Sequence, residues 1–226
     1  MKRLIIIGTG TTARNVYDFV RFHHLFEVAG FAVNESFYSE SRYMGLPVYR
    51  LEDFFTNSHS DEYVFFIAIL WNNLNQDRRN VFETCRENNL PLVNLIAPTA
   101  VVRGKTEGDN VWIGDHVVIQ SGVTIESDTF IRSNAVVCHD TIVKAHSFIS
   151  AGAVVGSSCI VGEQSFIGLN ATVLEGIRIG AKSIVGAGVC LKENLDQHSM
   201  ACLSSSNYIV KQYDPQTIGT KLTHKR

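Results

Sequence analysis

The sequence predicts an α/β unit followed by a parallel β-helix, and two observations carry this prediction. Strand-like and helix-like segments alternate through roughly the first ninety residues. After Pro98 the helical pattern stops, and an aliphatic residue recurs at every sixth position. A strict period of six is a signature of parallel β-helices. We therefore divide the chain into an α/β domain at 1–96, a β-helix at 97–192 and a C-terminal cap or tail at 193–226.

The α/β domain is predicted from short segments with strand or helix periodicity. Strands are predicted at 4–7, 28–33, 63–69 and 92–95, with helical spacing at 12–23 and a helix-friendly polar stretch at 74–88. This alternation indicates a small parallel sheet of about four strands, half of a full dinucleotide-binding fold.

The β-helix repeat is carried by β-branched aliphatic residues in thirteen consecutive hexads. These anchors are Ile113, Ile119, Ile125, Ile131, Val137, Val143, Ile149, Val155, Val161, Ile167, Val173, Ile179 and Val185. Leu191 extends the series and Val101 begins it, with only Glu107 out of pattern. Between anchors stand residues that tolerate positive φ, such as Gly, Asn, Asp and His. The pattern predicts a prism in which three hexads close each coil and the anchors stack inward, with coils about 4.8 Å apart.

Composition and charge exclude several classes of partner. The chain has 226 residues, 45% hydrophobic and 19% charged, with net charge −2, and no run of Lys and Arg is dense enough to follow a nucleic-acid backbone. The apolar run before Gly8 is too short for a signal peptide or a membrane span. Five scattered cysteines without CxxC spacing are typical of reduced thiols. We expect a cytoplasmic protein with no nucleic-acid partner, no membrane partner and no metal.

The repeat sequences resemble a known family. Runs such as IGDHVVI, FIGLNATV and IRIGAKSIVGAGV resemble the hexapeptide-repeat acyltransferases, whose β-helix is left-handed. The strand–GTG–helix opening is similar to one subfamily, the sialic-acid O-acetyltransferase-like group, which includes N-acetyltransferases of nucleotide-linked aminosugars such as bacillosamine and perosamine. The resemblance covers residues 1 to about 192. It implies a Rossmann-like half-domain before a left-handed parallel β-helix, acetyl-CoA as acyl donor, and a homotrimer.

His139 and Asp140, in the segment AVVCHDTIVKAHSFISAG, are the predicted catalytic residues. Acetyl transfer needs a base, and histidine, with an ordinary pKa of about 6.5, suits that role. In the family that the chain resembles, a His followed by an acidic residue here is the base and its activator. Both residues follow the anchor Val137 at a predicted corner, where a bend would let neighbouring side chains meet. The alternative is a histidine that merely occupies a turn, which is what we expect of His116.

The resemblance also implies a coenzyme groove between subunits, along the β-helix. The positions that match the family's contacts to the pantetheine arm are Gly152, Ser157, Leu169 and Ala187. The family's second histidine, nine residues after the first, is replaced by Phe148, and we expect the nearby His146 to lie on the surface. The segment MACLSSSNYIVK stands where the family frequently has Gly-x-Pro-Ala. A zinc site of the carbonic-anhydrase type is disfavoured because the histidine spacing does not match.

A nucleotide site is predicted at the G-x-G-x-x-A loop that follows the first strand. Its glycines would let a pyrophosphate approach the helix N-terminus. By itself this loop is a dinucleotide fingerprint, so NAD is the alternative ligand; the half-size fold favours a UDP- or dTDP-sugar. The resemblance implies that Gly10, Thr11 and Thr12 meet the substrate and that Asn34 and Glu35 lie near the base or ribose. Gly8 of the loop and Asn72 complete the predicted substrate-binding residues. Trp71, next to Asn72, would either stack on the ligand or pack at a strand end.

These features predict a specific reaction, the N-acetylation of an amino group on a UDP- or dTDP-linked amino-deoxysugar. The amine would attack acetyl-CoA directly, with His139 as general base. O-acetylation of a sialic-acid-like sugar is the rival enzymatic interpretation. A nucleotide-binding β-helix without catalytic activity is the third hypothesis.

Overall fold

The computed structural model describes residues 2–55, 62–204, 208–215 and 217. They form two compact units, one within residues 1–70 and 78–95 and the other within 71–77 and 96–226. The short segment 71–77 therefore leaves the first unit and belongs with the second. Within the described ranges, no helix has the length and apolarity needed to cross a membrane.

The first unit is a five-stranded sheet with helices. Its elements are β1 (Arg3–Ile7), α1 (Thr11–Phe22), β2 (Val28–Val33), β3 (Arg42–Tyr43), β4 (Leu46–Arg50), β5 (Tyr63–Ile67) and α2 (Gln76–Glu87), with 3₁₀ turns at Glu35–Phe37 and Leu51–Phe54. The strand order is β3-β4-β2-β1-β5. Strand β1 lies between β2 and β5, and its apolar run is buried on both faces, as a parallel strand between two neighbours requires. Helix α1 buries Ala13, Val16 and Val20, one face at helical spacing.

The sheet differs from the prediction in one respect. Strands β3 and β4 were not predicted, and they pair antiparallel, so the expectation of a four-stranded, wholly parallel sheet is wrong. The sequence pattern does not reveal these two strands, because Met44 and Gly45 turn at positive φ and Pro47 interrupts the pattern of β4. The strand predicted at 92–95 is reduced to a single bridge between Leu92 and Phe65, followed by the short strand β6 (Leu95–Ile96).

The second unit is a parallel β-helix. Its strands through β22 have two residues each, and each strand from β6 to β19 pairs with the strand three places further along the chain, so that three sheets form. Strand β21 pairs with β23, which pairs antiparallel with β24. The strands are β6 (Leu95–Ile96), β7 (Val101–Val102), β8 (Lys105–Thr106), β9 (Trp112–Ile113), β10 (Val118–Ile119), β11 (Thr124–Ile125), β12 (Phe130–Ile131), β13 (Val136–Val137), β14 (Ile142–Val143), β15 (Phe148–Ile149), β16 (Val154–Val155), β17 (Ile160–Val161), β18 (Phe166–Ile167), β19 (Thr172–Val173), β20 (Arg178–Ile179), β21 (Ile184–Val185), β22 (Cys190–Leu191), β23 (Ser199–Leu203) and β24 (Tyr208–Gln212).

The predicted anchors form the core of this β-helix. All thirteen are at most 2% exposed, and each such Val or Ile contributes about 1.5–3 kcal/mol by leaving water. The third residue after every anchor, from His116 to Gly188, has positive φ. The inward stacking of the anchors and the turning role of the residues between them are both confirmed. These left-handed residues are the corners of the prism.

The first coil departs from the repeat. Val102, not Val101, pairs with Ile119, and Thr106 pairs with Ile125. Val101 is 49% exposed, whereas Val102 packs against the core. The prediction that Val101 begins the series is therefore wrong. The chain is one residue late at Val102 and one residue early at Thr106, and the regular period starts at Ile113.

Candidate active site

His139 and Asp140 meet at one corner of the β-helix, directly after β13. Asp140 has a φ of +58°, and this turn brings the two neighbouring side chains to the same side. His139 Nδ1 lies 3.0 Å from Asp140 Oδ2. When Nδ1 donates its proton to this carboxylate, Nε2 carries the lone pair of the neutral ring. Both side chains are more than half exposed, so Nε2 is accessible to a substrate. The arrangement is that of a general base with an acidic partner.

Hydrogen bonds to the preceding coil and to the following coil hold the backbone of this pair. The His139 N–H donates to Gln120 Oε1 at 3.0 Å, and the Asp140 N–H donates to the Ser121 carbonyl at 3.2 Å. The His139 carbonyl accepts from the Ser158 N–H at 2.9 Å. Sequence reasoning missed Gln120, although it directly follows an anchor and its side chain lies where it can accept from the corner of the next coil.

His146 is not a surface residue, so that expectation is wrong. It is 7% exposed, and its Nδ1 lies 2.8 Å from Oδ2 of the fully buried Asp128. The other oxygen of this carboxylate accepts from Asn110 Nδ2 at 2.7 Å. These residues stack at a second corner, which the segment 71–77 covers through a hydrogen bond from Gln164 to Gln76. Burial and pairing explain the histidine without a catalytic role.

Phe148 and Trp71 belong to an aromatic cluster on the outer face of one sheet. The rings of Phe148 and Phe166 are stacked with centroids 5.3 Å apart, and Trp71 packs edge-on against them at 5.0 and 5.5 Å. Trp71 thus packs against protein, the second of the two roles considered for it. Phe148, at 1% exposed, fills the position of the family's second histidine with an apolar contact.

The four predicted coenzyme residues lie at two different corners. Gly152 turns one corner at φ +70°, and Leu169 and Ala187 immediately precede the turning residues of later coils at the same corner. Leu169 is 56% exposed. Ser157 lies one coil after His139, at the corner that holds His139 and Asp140. The single chain therefore does not bring all four together.

The first unit contains a pocket at the carboxyl ends of β1 and β2. Its volume is about 250 Å³. It is lined by Thr9, Val33, Phe37, Ser39, Glu40, Arg42, Tyr43 and Val48. The Tyr43 hydroxyl donates to the Gly10 carbonyl at 3.3 Å, so the pocket borders the G-x-G loop. This is the edge of a parallel sheet where ligands generally bind. Sequence reasoning missed the loop residues between β2 and β4, because no motif marks them.

The two glycines of the loop differ in what the fold demands of them. Gly8 has φ +120°, and a Cβ there would lie 3.2 Å from the Ala68 carbonyl oxygen, so the backbone requires glycine. Gly10 has φ −86° and ψ −171°, and a Cβ there would meet nothing within 4 Å. The fold does not require glycine at position 10. A ligand that approaches the backbone closely would require it.

The N-terminus of helix α1 has the features of an anion-binding site. No side chain caps its N-terminus, and its first turn contains no acidic residue. The N–H groups of Thr11 and Thr12 belong to this turn, and the helix dipole adds a partial positive charge there. Arg42, on the wall of the neighbouring pocket, brings a full positive charge. Thr11, Thr12 and Gly10 are therefore together at one edge of the first unit.

The remaining predicted substrate residues lie apart from this pocket wall. Asn34 Nδ2 donates to Glu52 Oε1 at 3.3 Å, and the Glu35 N–H donates to the other oxygen of Glu52 at 3.0 Å. Neither Asn34 nor Glu35 lines the pocket. Asn72 is exposed in the segment 71–77, which belongs to the second unit. Among the described residues, no group of three or more His, Cys, Asp or Glu side chains could hold a metal ion.

Comparison with family models identifies the repeat. The model described as bacterial transferase hexapeptide (six repeats) matches residues 108–139 and 122–157, and the model described as hexapeptide repeat of succinyl-transferase matches residues 158–193. Together with the three parallel sheets and the buried anchors, these matches define the second unit as a left-handed parallel β-helix of the hexapeptide-repeat transferases.

Solved structures extend the similarity to nearly the whole chain. PerB from Caulobacter crescentus, solved with CoA and GDP-perosamine, is 27% identical, with a TM-score of 0.80 over 93% of this chain and 98% of that chain. The acetyltransferase domain of PglB from Neisseria gonorrhoeae is 20% identical, with a TM-score of 0.79 over 92% and 100%. Among curated proteins no match was found. The protein is an acetyltransferase whose residues 108–193 match hexapeptide repeats of bacterial transferases. Within that class, it is similar to nucleotide-aminosugar N-acetyltransferases.

Proposed function

We propose that this protein transfers the acetyl group of acetyl-CoA to an amino group of a nucleotide-linked amino-deoxysugar. One observation carries the proposal: an exposed, hydrogen-bonded His139–Asp140 pair stands at a corner of a hexapeptide β-helix. The same chain has a pocket beside an uncapped helix N-terminus, which suits a nucleoside diphosphate. PerB, similar along nearly its whole length, is described with CoA and GDP-perosamine.

In the proposed reaction, the neutral sugar amine attacks the thioester carbonyl carbon of acetyl-CoA. His139 Nε2 removes a proton from the attacking nitrogen as the new C–N bond forms. The C–S bond then breaks, and the sulfur of CoA leaves and is protonated by the imidazolium. Asp140 accepts the hydrogen bond from Nδ1 throughout, which fixes the ring orientation and stabilises its positive charge. The products are an N-acetylated sugar nucleotide and free CoA.

The acyl donor is assigned to the β-helix. Gly152, Ser157, Leu169 and Ala187 are the proposed contacts of the pantetheine arm. Because three of them lie at one corner and Ser157 lies beside His139 at another, a groove that uses all four needs a second copy of the chain. A homotrimer, in which each catalytic corner faces a neighbouring subunit, would provide it. The exposed Leu169 is suited to such a groove because it offers apolar surface.

The sugar nucleotide is assigned to the first unit, with its diphosphate at Gly10, Thr11 and Thr12 and with Arg42 as the nearby cation. Asn34, Glu35 and Asn72 remain proposed substrate contacts, and the first two are hydrogen-bonded to Glu52. GDP is a further candidate, beside UDP and dTDP, for the nucleotide of the sugar substrate, since PerB was solved with GDP-perosamine.

The test is a panel assay of acetyl transfer. The protein is incubated with acetyl-CoA and UDP-, dTDP- or GDP-linked aminosugars, and both thiol release and the mass of the sugar nucleotide are measured. We expect one acetyl group to be added to one aminosugar, and the otherwise identical sugar with a hydroxyl in place of the amine to remain unmodified. Acetylation of the hydroxyl analogue alone would favour the O-acetyltransferase hypothesis. Thiol release with no member of the panel, despite nucleotide binding, would favour the non-catalytic hypothesis.

A further inference from the structure

Gly122 lies one coil before Asp140 at the catalytic corner, and its missing side chain has a consequence for the catalytic pair. A Cβ built on Gly122 would overlap Asp140 Oδ1 and would lie 3.2 Å from Asp140 Cγ. The carboxylate therefore occupies the space that any other side chain at position 122 would fill. Its opposite oxygen accepts the hydrogen bond from His139.

Backbone conformation alone does not explain a glycine at this position. The φ of Gly122 is +76°, but equivalent corner positions elsewhere in the β-helix hold Asn134 at +62°, Ser158 at +55° and Lys182 at +55°. The corner thus tolerates residues with side chains. What separates Gly122 from them is the carboxylate of the next coil packed against its Cα.

The backbone of His139 is held by hydrogen bonds, so the Asp140 carboxylate is the part of the pair that can move. Gln120 holds the N–H of His139, and the next coil holds its carbonyl. One hexad further along, Glu126 accepts from the Ala145 N–H in the same way and also pairs with Lys144. At the catalytic corner the equivalent acceptor is the neutral amide of Gln120. The carboxylate that contacts His139 is therefore that of Asp140.

We propose that Gly122 is a positioning residue for the catalytic pair, and this inference rests on the proposed function of His139 and Asp140. By leaving the space beside its Cα empty, Gly122 lets the Asp140 carboxylate lie where one oxygen reaches His139 Nδ1. A methyl group at position 122 displaces the carboxylate by about 1 Å, a shift that can cost up to about 100-fold in rate. Gly122 acts through Asp140 and does not contact the reacting atoms.

The test compares Gly122→Ala with Gly176→Ala, a control at the same corner. Gly176 has a φ of +72°, and a Cβ there would meet nothing within 4 Å, so the control has the same backbone strain without the overlap. Acetyl transfer is measured with acetyl-CoA and GDP-perosamine, or with the panel member that the wild-type protein accepts. We expect Gly122→Ala to lower kcat by roughly 10- to 100-fold with KM values within about twofold of wild type. Gly176→Ala should retain the wild-type kcat.

A double variant distinguishes positioning from a general structural effect. In Gly122→Ala/Asp140→Ala there is no carboxylate to displace, so its kcat should equal that of Asp140→Ala alone. A double variant slower than Asp140→Ala by the full Gly122→Ala factor overturns the inference, as does Gly122→Ala with wild-type kcat. If Gly122→Ala does not fold but the double variant does, the overlap between the new methyl group and the Asp140 carboxylate is supported. If neither variant folds, the inference is overturned. His139→Gln in the same assay tests the proposed function separately. An active His139→Gln overturns the proposed base, whereas an inactive His139→Gln beside a Gly122→Ala of wild-type kcat overturns only the positioning role.

Discussion

Gly10→Val tests whether the two units bind different substrates. The structure predicts that this substitution leaves the fold intact, because position 10 has an extended backbone conformation and open space around its Cβ. Replacing glycine by valine at a helix N-cap costs about 1 kcal/mol of stability. The branched side chain would stand between a diphosphate and the first N–H groups of α1.

The expected loss of affinity follows from those N–H groups. A hydrogen bond to a charged group contributes about 1.5–3 kcal/mol, so losing one weakens binding by roughly 10- to 150-fold. Gly10→Ala, with a smaller side chain, should show a smaller loss. Affinity for acetyl-CoA should be unchanged, because residue 10 lies in the first unit and the proposed coenzyme contacts lie in the second.

Isothermal titration calorimetry on the wild type and Gly10→Val, with acetyl-CoA, UDP, dTDP, GDP and NAD, measures each affinity, and thermal unfolding checks the fold. Wild-type nucleoside diphosphate affinity in the variant would refute the assignment of the diphosphate to Gly10. Micromolar NAD binding by the wild type, abolished in Gly10→Val and without binding of any nucleoside diphosphate, would replace the sugar nucleotide with a dinucleotide. Parallel loss of acetyl-CoA and nucleotide affinity by a folded variant would refute the separation of the two sites.

The remaining predictions concern the base, the core, the thiols and the assembly. His139→Ala should lower turnover by about two to four orders of magnitude with little change in nucleotide affinity by calorimetry; near-wild-type turnover at neutral pH would exclude it as the base. Ile149→Ala should lower the free energy of unfolding in urea by about 2–5 kcal/mol, whereas Val101→Ala, at an exposed site, should change it by about 0.5 kcal/mol or less; equal losses would contradict the register of the first coil. Burial raises the pKa of the Cys159 thiol, so it should resist maleimide at pH 8 in the native protein and react after denaturation; rapid native labelling at that residue by mass spectrometry would contradict its burial. Sedimentation equilibrium should give a trimer, and an active monomer near 25.1 kDa would exclude the shared groove.

The residues that sequence reasoning placed correctly are those with a repeated local pattern. Ile149 is an anchor because it falls on the period, and Asp140 is a corner residue because it falls three places later. The first coil was misplaced at Val101 because two compensating one-residue shifts leave the average period intact. His146 was misplaced because it pairs with the buried Asp128, which lies eighteen residues earlier and is brought beside it only by the stacking of coils.

The sequence by itself determined the β-helix, since each anchor needs only a position in a hexad to be buried and each corner needs only a residue that accepts positive φ. It also determined that the side chains of His139 and Asp140 meet, because adjacent residues at a corner are brought together by a local turn. Only the tertiary structure decided what surrounds them. Gln120, one coil earlier, accepts a hydrogen bond from His139, and Gly122 in the same coil leaves the space that the Asp140 carboxylate occupies. The pocket in the first unit is built by loops whose residues follow no period. These contacts depend on which coil or loop lies alongside, and such proximity is a property of the folded chain rather than of any local pattern.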